Sequence, residues 1–177
     1  MDLLLRCTLL LALVGCRATA PPSPEAPSPE HAQLRQTIDA LYVAFGFDAG
    51  GEPDWSTQER IYMQGATFVA PIRRGRTPVG VDTATFIDDF RAFARTGSYA
   101  GSGLYERILQ THIGVCGGVA HAFVLFEGHL PGEADARTRG MDSLQFVRDG
   151  EDWRLVSFTT QYESADTPLD LAQRSLP

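Results

Sequence analysis

Residues 139–157 read Arg139-Gly-Met-Asp-Ser-Leu-Gln-Phe-Val-Arg-Asp-Gly-Glu-Asp-Trp-Arg-Leu-Val-Ser157. Two runs of apolar and polar residues flank Asp149-Gly150, a dipeptide that favours a tight hairpin because both positions tolerate positive φ. The same grammar occurs upstream, where residues 104–115 and 119–130 flank Gly117-Gly118. The second half of the chain is therefore expected to be four long strands, at 104–115, 119–130, 138–148 and 152–163. Strands of that length twist strongly and can curl into a half-barrel.

The first half reads differently. Leu34, Ile38, Leu41, Tyr42 and Phe45 recur at steps of three and four, which predicts a helix over 33–47. A short second helix is expected from Asp54, a strand over 66–72, and a third helix capped by Asp82 and closed by Gly97. The apolar positions of that third helix are Phe86, Ile87, Phe90, Phe93 and Ala94. Helices gathered ahead of a meander imply an α+β domain, with a curved antiparallel sheet wrapped around the N-terminal helices as a cone or half-barrel.

With these elements in place, the chain resembles the nuclear transport factor 2-like superfamily over roughly residues 31–163. This cone-shaped fold is shared by SnoaL-like polyketide cyclases and ketosteroid isomerases. The resemblance rests on the Gly140-Met-Asp142-Ser143 strand, the charged Gly150 turn and Trp153-Arg-Leu-Val-Ser157. Gly50-Gly51-Glu52-Pro53-Asp54-Trp55 is similar to a segment of uncharacterised bacterial members. The resemblance implies a pocket between sheet and helices. It implies no single activity, because this fold hosts isomerases, dehydratases, cyclases, carriers and inert modules. An isomerase of the ketosteroid kind needs a carboxylate base and a donor pair at an oxyanion, and no residue pattern here matches that constellation.

The N-terminal segment reads as a leader. Residues 1–15 contain a short apolar run ending Leu13-Val14-Gly15-Cys16, far below the roughly 20 residues that span a bilayer. It resembles a bacterial lipobox, which implies lipidation of Cys16 and a lipid anchor to the membrane. A plain signal peptide cut after Ala18-Thr19-Ala20 is the alternative. Residues 16–30 are expected to be a Pro-rich tether, residues 31–165 the domain, and 166–177 a loosely held tail. The expected location is the bacterial cell envelope, with the outer membrane favoured because Arg17, not Asp, follows Cys16.

Composition sets outer bounds. The 177 residues are 44% hydrophobic and 21% charged, as in ordinary globular domains. All 15 cations are Arg and the net charge is −7, which argues against nucleic acid as a partner. Cys116, in an apolar run, is expected to be a buried inert thiol. Arg73-Arg74-Gly75-Arg76 reads as a solvated turn.

Candidate site residues follow from strand register. With Gly117-Gly118 as a two-residue turn, residue 112 faces 123 and 106 faces 129. One face then carries Glu106, Ile108, Gln110 and His112 beside His121, Phe123, Leu125 and Glu127. A Glu106–His121 pair on that face could move a proton; the plainer reading leaves Glu106 in water near a strand end. Asp142, disfavoured inside a strand, is expected to share a face with Leu144, Phe146, Trp153, Leu155, Ser157, Thr159 and Gln161, and to need Arg139 or a ligand as partner. The catalytic candidates are thus Asp142, His121 and Glu106. Ligand-contact candidates are Trp55, Tyr62, Tyr99, Tyr105, His112 and Gln161. His112 and His121 lack a third ligand, so no metal is expected, and no cofactor. The favoured role is a tethered domain that binds a small apolar ligand or a protein partner; a homodimer paired through the sheet is a third reading. The alternative is a cofactor-free cyclase, isomerase or dehydratase.

Overall fold

The computed structural model describes residues 28–69 and 77–169. The leader, Cys16, most of the tether, the Arg73–Arg76 turn and the last eight residues lie outside the described residues. Helix α1 (Pro29–Phe45) starts two residues before the expected domain boundary. The Ser28 hydroxyl accepts from the His31 amide at 3.2 Å, and Pro29 stands at the helix start, where its missing N–H costs nothing. Strand β1 (Phe47–Asp48) follows, then α2 (Trp55–Ile61), capped by Asp54, and β2 (Tyr62–Val69). Strand β3 (Gly80–Asp82) leads into α3 (Thr83–Thr96), with Asp82 accepting from the Thr85 amide at 2.8 Å. The remainder is β4 (Gly103–Cys116), β5 (Val119–His129), β6 (Thr138–Asp149) and β7 (Asp152–Tyr162).

All seven strands form one curved, unclosed sheet in the order β1-β4-β5-β6-β7-β2-β3. The expected antiparallel meander is there, but the sheet is mixed, because β2 runs parallel to β7. Nothing local announces that pairing: β2 joins the last strand from far upstream, so no hairpin turn marks it. The helices cover the concave face, where Leu34, Ile38, Leu41 and Phe45 of α1 pack on Ala122, Val124, Phe126, Leu144 and Phe146.

Two bulges decide which residues reach that core. In the β4–β5 ladder Ile108 pairs with Phe126 but Gln110 with Leu125, leaving Leu109 as an extra residue. In the β6–β7 ladder Gln145 pairs with Ser157 but Phe146 with Leu155, leaving Val156 as the extra one. A bulge reverses the in–out alternation beyond it. Glu106 therefore pairs with Gly128, not with residue 129, and lies on the concave face, while His121 lies on the outer one. Likewise Asp142 shares its face with Phe158, Thr160 and Tyr162, whereas Ser157, Thr159 and Gln161 point outward.

Two smaller expectations also change. Cys116 is exposed, because the apolar run carries it to the tip of the β4–β5 hairpin, beyond the core. The segment after β7 is held down as far as Leu169, which is buried against Leu125 and Met141 on the outer face while its amide donates to Glu163 Oε1 at 2.9 Å.

Candidate functional site

A cavity of about 580 Å³ lies between the concave sheet face and the helices. One wall is α3, where Phe86, Phe90 and Phe93 succeed one another at helical spacing, with Phe86–Phe90 and Phe90–Phe93 ring centroids 6.0 and 5.7 Å apart in stacked orientation. These rings are only partly buried and line the cavity, while Ile87 and Ala94 beside them are buried against the rest of the fold. Phe45 and Phe158 close the apolar end, their centroids 5.8 Å apart. Asp89 and Ser98, both exposed, mark where the cavity meets solvent.

The sheet supplies the polar floor. Gly140 lets it be built: a Cβ there would lie 2.5 Å from Phe126 Cζ, so only glycine allows that ring to cross the strand. Two residues on, Asp142 is 1% exposed. Its carboxylate accepts from the Tyr42 hydroxyl at 2.5 Å and from the Thr160 hydroxyl at 2.7 Å. These are the partners expected of Arg139 or a ligand; Arg139 instead lies 3.8 Å from Glu163. Burial pushes the Asp142 carboxyl up to about 7, against the pull of its two hydrogen bonds. Both oxygens being engaged, Asp142 is a buried anchor between α1 and the sheet.

Glu106 differs. It lines the same cavity, and its partial exposure is exposure to that cavity. Burial, and then the Asp142 carboxylate, push its carboxyl well above the usual carboxylate range. Among the described residues no side-chain donor reaches it. A carboxyl in an aromatic cavity with no partner can give a proton, take one, or hold a ligand's polar group.

Of the other sequence candidates, Tyr99 lines the cavity. Trp55 sits behind Phe90 and is clamped from outside: its Nε1 donates to Glu52 Oε2 at 3.0 Å, and the Arg91 guanidinium stacks 5.0 Å from its ring. Tyr62 is core, its hydroxyl donating to Gln58 Oε1 at 2.8 Å. Tyr105 is exposed and stacks on His129 at 5.4 Å. His112 meets Gln110 at 2.6 Å, and His121 meets Ser143 at 3.0 Å, both on the outer face. The Glu106–His121 pair is thus divided by the sheet. Among the described residues no group of three His, Cys, Asp or Glu side chains is placed to hold a metal ion, and no helix is long and apolar enough to cross a membrane.

The cavity-wall residues that sequence reading passed over are Phe86, Phe90, Phe93, Phe158 and Tyr162, together with Tyr42, which anchors Asp142. The signal for the first three was the width of the α3 stripe. Phe86, Ile87, Phe90, Phe93 and Ala94 cover more of the helix than one packing contact uses.

This architecture defines the class: the described chain has the nuclear transport factor 2-like (NTF2-like) α+β cone fold. It is similar to a protein with a cystatin-like fold from Caulobacter vibrioides, at 14% identity and a TM-score of 0.57 over 78% of this chain and 93% of that one. It is similar also to a candidate dehydratase from the NTF2-like family of Streptomyces avermitilis, at 15% identity and a TM-score of 0.58 over 76% and 96%. A third is a cystatin-like-fold protein of unknown function from Nostoc punctiforme, at 8% identity and a TM-score of 0.59 over 76% and 91%. At such identities the likeness is one of fold. No protein-family model and no curated protein matches the chain.

Proposed function

We propose that this domain binds one small, largely apolar molecule in the cavity, and does so as a lipid-anchored protein of the bacterial envelope. The observation that carries the binding reading is the aromatic-walled space of about 580 Å³ with Glu106 in its lining, reached by no side-chain donor among the described residues. That volume and composition are typical of small-molecule sites: apolar walls supply affinity and one polar group sets orientation. Native mass spectrometry of the gently purified chain tests it. A retained small molecule supports the reading, and an empty protein that takes up no apolar ligand counts against it.

The enzymatic alternative, a SnoaL-like cyclase or isomerase, is favoured by one observation, the raised Glu106 carboxyl facing the cavity. Proton transfer would then fall to Glu106, with Asp142 and Tyr42 holding the floor in place. His121 would take no part, being on the other face.

The anchor rests on Cys16 and its flanking residues alone. Cys16→Ser should move the protein from the membrane fraction to the soluble fraction and abolish palmitate labelling. Pairing of two copies through the outer sheet face is supported by exposed Val119 and half-buried Phe123, with Leu169 already covering Leu125 and Met141.

A further inference from the structure

We propose that the cavity selects an organic cation: an amine on an apolar body of aromatic size, its ammonium group beside Glu106 and its body against Phe86, Phe90 and Phe93. This deepens the binding reading above and rests on it. Asp89 at the mouth, Glu106 within and Asp142 in the floor all line the cavity, and no Arg, Lys or His is among the described lining residues. A carboxylate or phosphate ligand would find no cation among the described lining residues and would have to sit beside two carboxyls that burial already keeps from ionising.

A neutral ligand is the closer competitor. It could accept a hydrogen bond from protonated Glu106, but would gain nothing from Asp89 and nothing electrostatic from the rings. A cation gains from each. It gives Glu106 the partner that no described residue supplies, whereas each Asp142 oxygen already accepts from a hydroxyl, of Tyr42 or of Thr160. It also relieves the mutual repulsion of Glu106 and Asp142, which contributes to the raised Glu106 carboxyl. Finally, the aromatic rings of Phe90 and Phe93 line the same cavity, and aromatic rings are groups that attract ammonium cations.

The test compares three probes of one shape on the full-length chain: 1-naphthylmethylamine, 1-naphthalenemethanol and 1-naphthoic acid, titrated at neutral pH by calorimetry. The amine is expected to bind at least about tenfold tighter than the alcohol, with the acid weakest. Glu106→Gln should bring the amine to within about threefold of the alcohol. The wild-type series is decisive alone, so a variant that failed to fold would not leave the matter open. An alcohol that matches the amine, or an acid that binds best, overturns the cation and leaves the ligand cavity standing. No binding of any probe by a folded protein overturns the cation proposal. Together with an empty native mass spectrum, it removes the cavity reading too.

Discussion

The concave and outer faces of strands β4–β7 are built from the same residues in alternation, yet they carry opposite chemistry. On the outer face polar groups find near neighbours: His121 has Ser143, His112 has Gln110, and Glu127 accepts from Arg107 at 2.7 Å. On the concave face two carboxyls, Glu106 and Asp142, line an aromatic-walled cavity away from bulk water. In the first set, Arg107 beside Glu127 holds that carboxyl below its usual range. The second set is driven upward by burial. What separates the raised carboxyls from the lowered one is the side of the sheet; the Leu109 bulge puts Glu106 on the concave side, and the Val156 bulge brings Thr160 opposite Asp142.

Inserting one alanine between Arg107 and Ile108 attacks the comparison directly. The part of β4 before the insertion then slips by one against β5, turning Tyr105 and Arg107 inward and Glu106 outward. We expect loss of cooperative folding, read by circular dichroism on heating. A variant melting within a few degrees of the parent would show that this register does not set the face.

A pair of truncations sharpens it. Phe126→Ala on the concave face should cost about 3–5 kcal/mol in urea denaturation, since a fully buried ring leaves a cavity that the core only partly refills. Phe123→Ala on the outer face should cost less than about 1 kcal/mol. Equal losses would mean that the outer face is as closely packed as the core.

The Asp142 carboxyl gives a pH test. Its proton is held up to about 7 in the folded protein, against 3.8 for the ordinary group. Between those values the native state binds a proton that the unfolded chain has released. Stability is therefore greatest below the window and falls as pH rises through it, by at most about 4 kcal/mol. Glu106 acts in the same direction. Asp142→Asn should flatten the decline of Tm over that window, and an unchanged slope would assign the decline to Glu106 alone.

The smallest effects belong to the outer histidines. His112→Ala and His121→Ala should each change stability by no more than about 0.5 kcal/mol, and leave occupancy of the cavity by an apolar fluorophore unchanged. A loss of occupancy in His121→Ala would mean that the two faces communicate.

Much of the fold was legible because its signals are local. The Gly117-Gly118 and Asp149-Gly150 turns, the caps Asp54 and Asp82, and the apolar steps of α1 each act within a few residues, so the order of elements could be read from the chain alone. Glu106 and Asp142 could be singled out as ionisable residues in strands, but not their surroundings. Register was read correctly near each turn and failed beyond each bulge, because Leu109 and Val156 look like any other apolar strand residue. Trp55 was read as a pocket wall because an aromatic residue carries no mark of which side of a helix its partners lie on.

The sequence by itself determined the α+β class, the hairpins, the helix starts and the supply of aromatic and acidic residues. Tertiary structure alone decided that β2 joins β7, that Glu106 parts from His121, and that Tyr42 and Thr160 complete Asp142. The reason is physical: turns and caps are satisfied by neighbours in the chain. Burial, bulge register and the protonation of a carboxyl depend on atoms brought from distant segments, which no local pattern encodes.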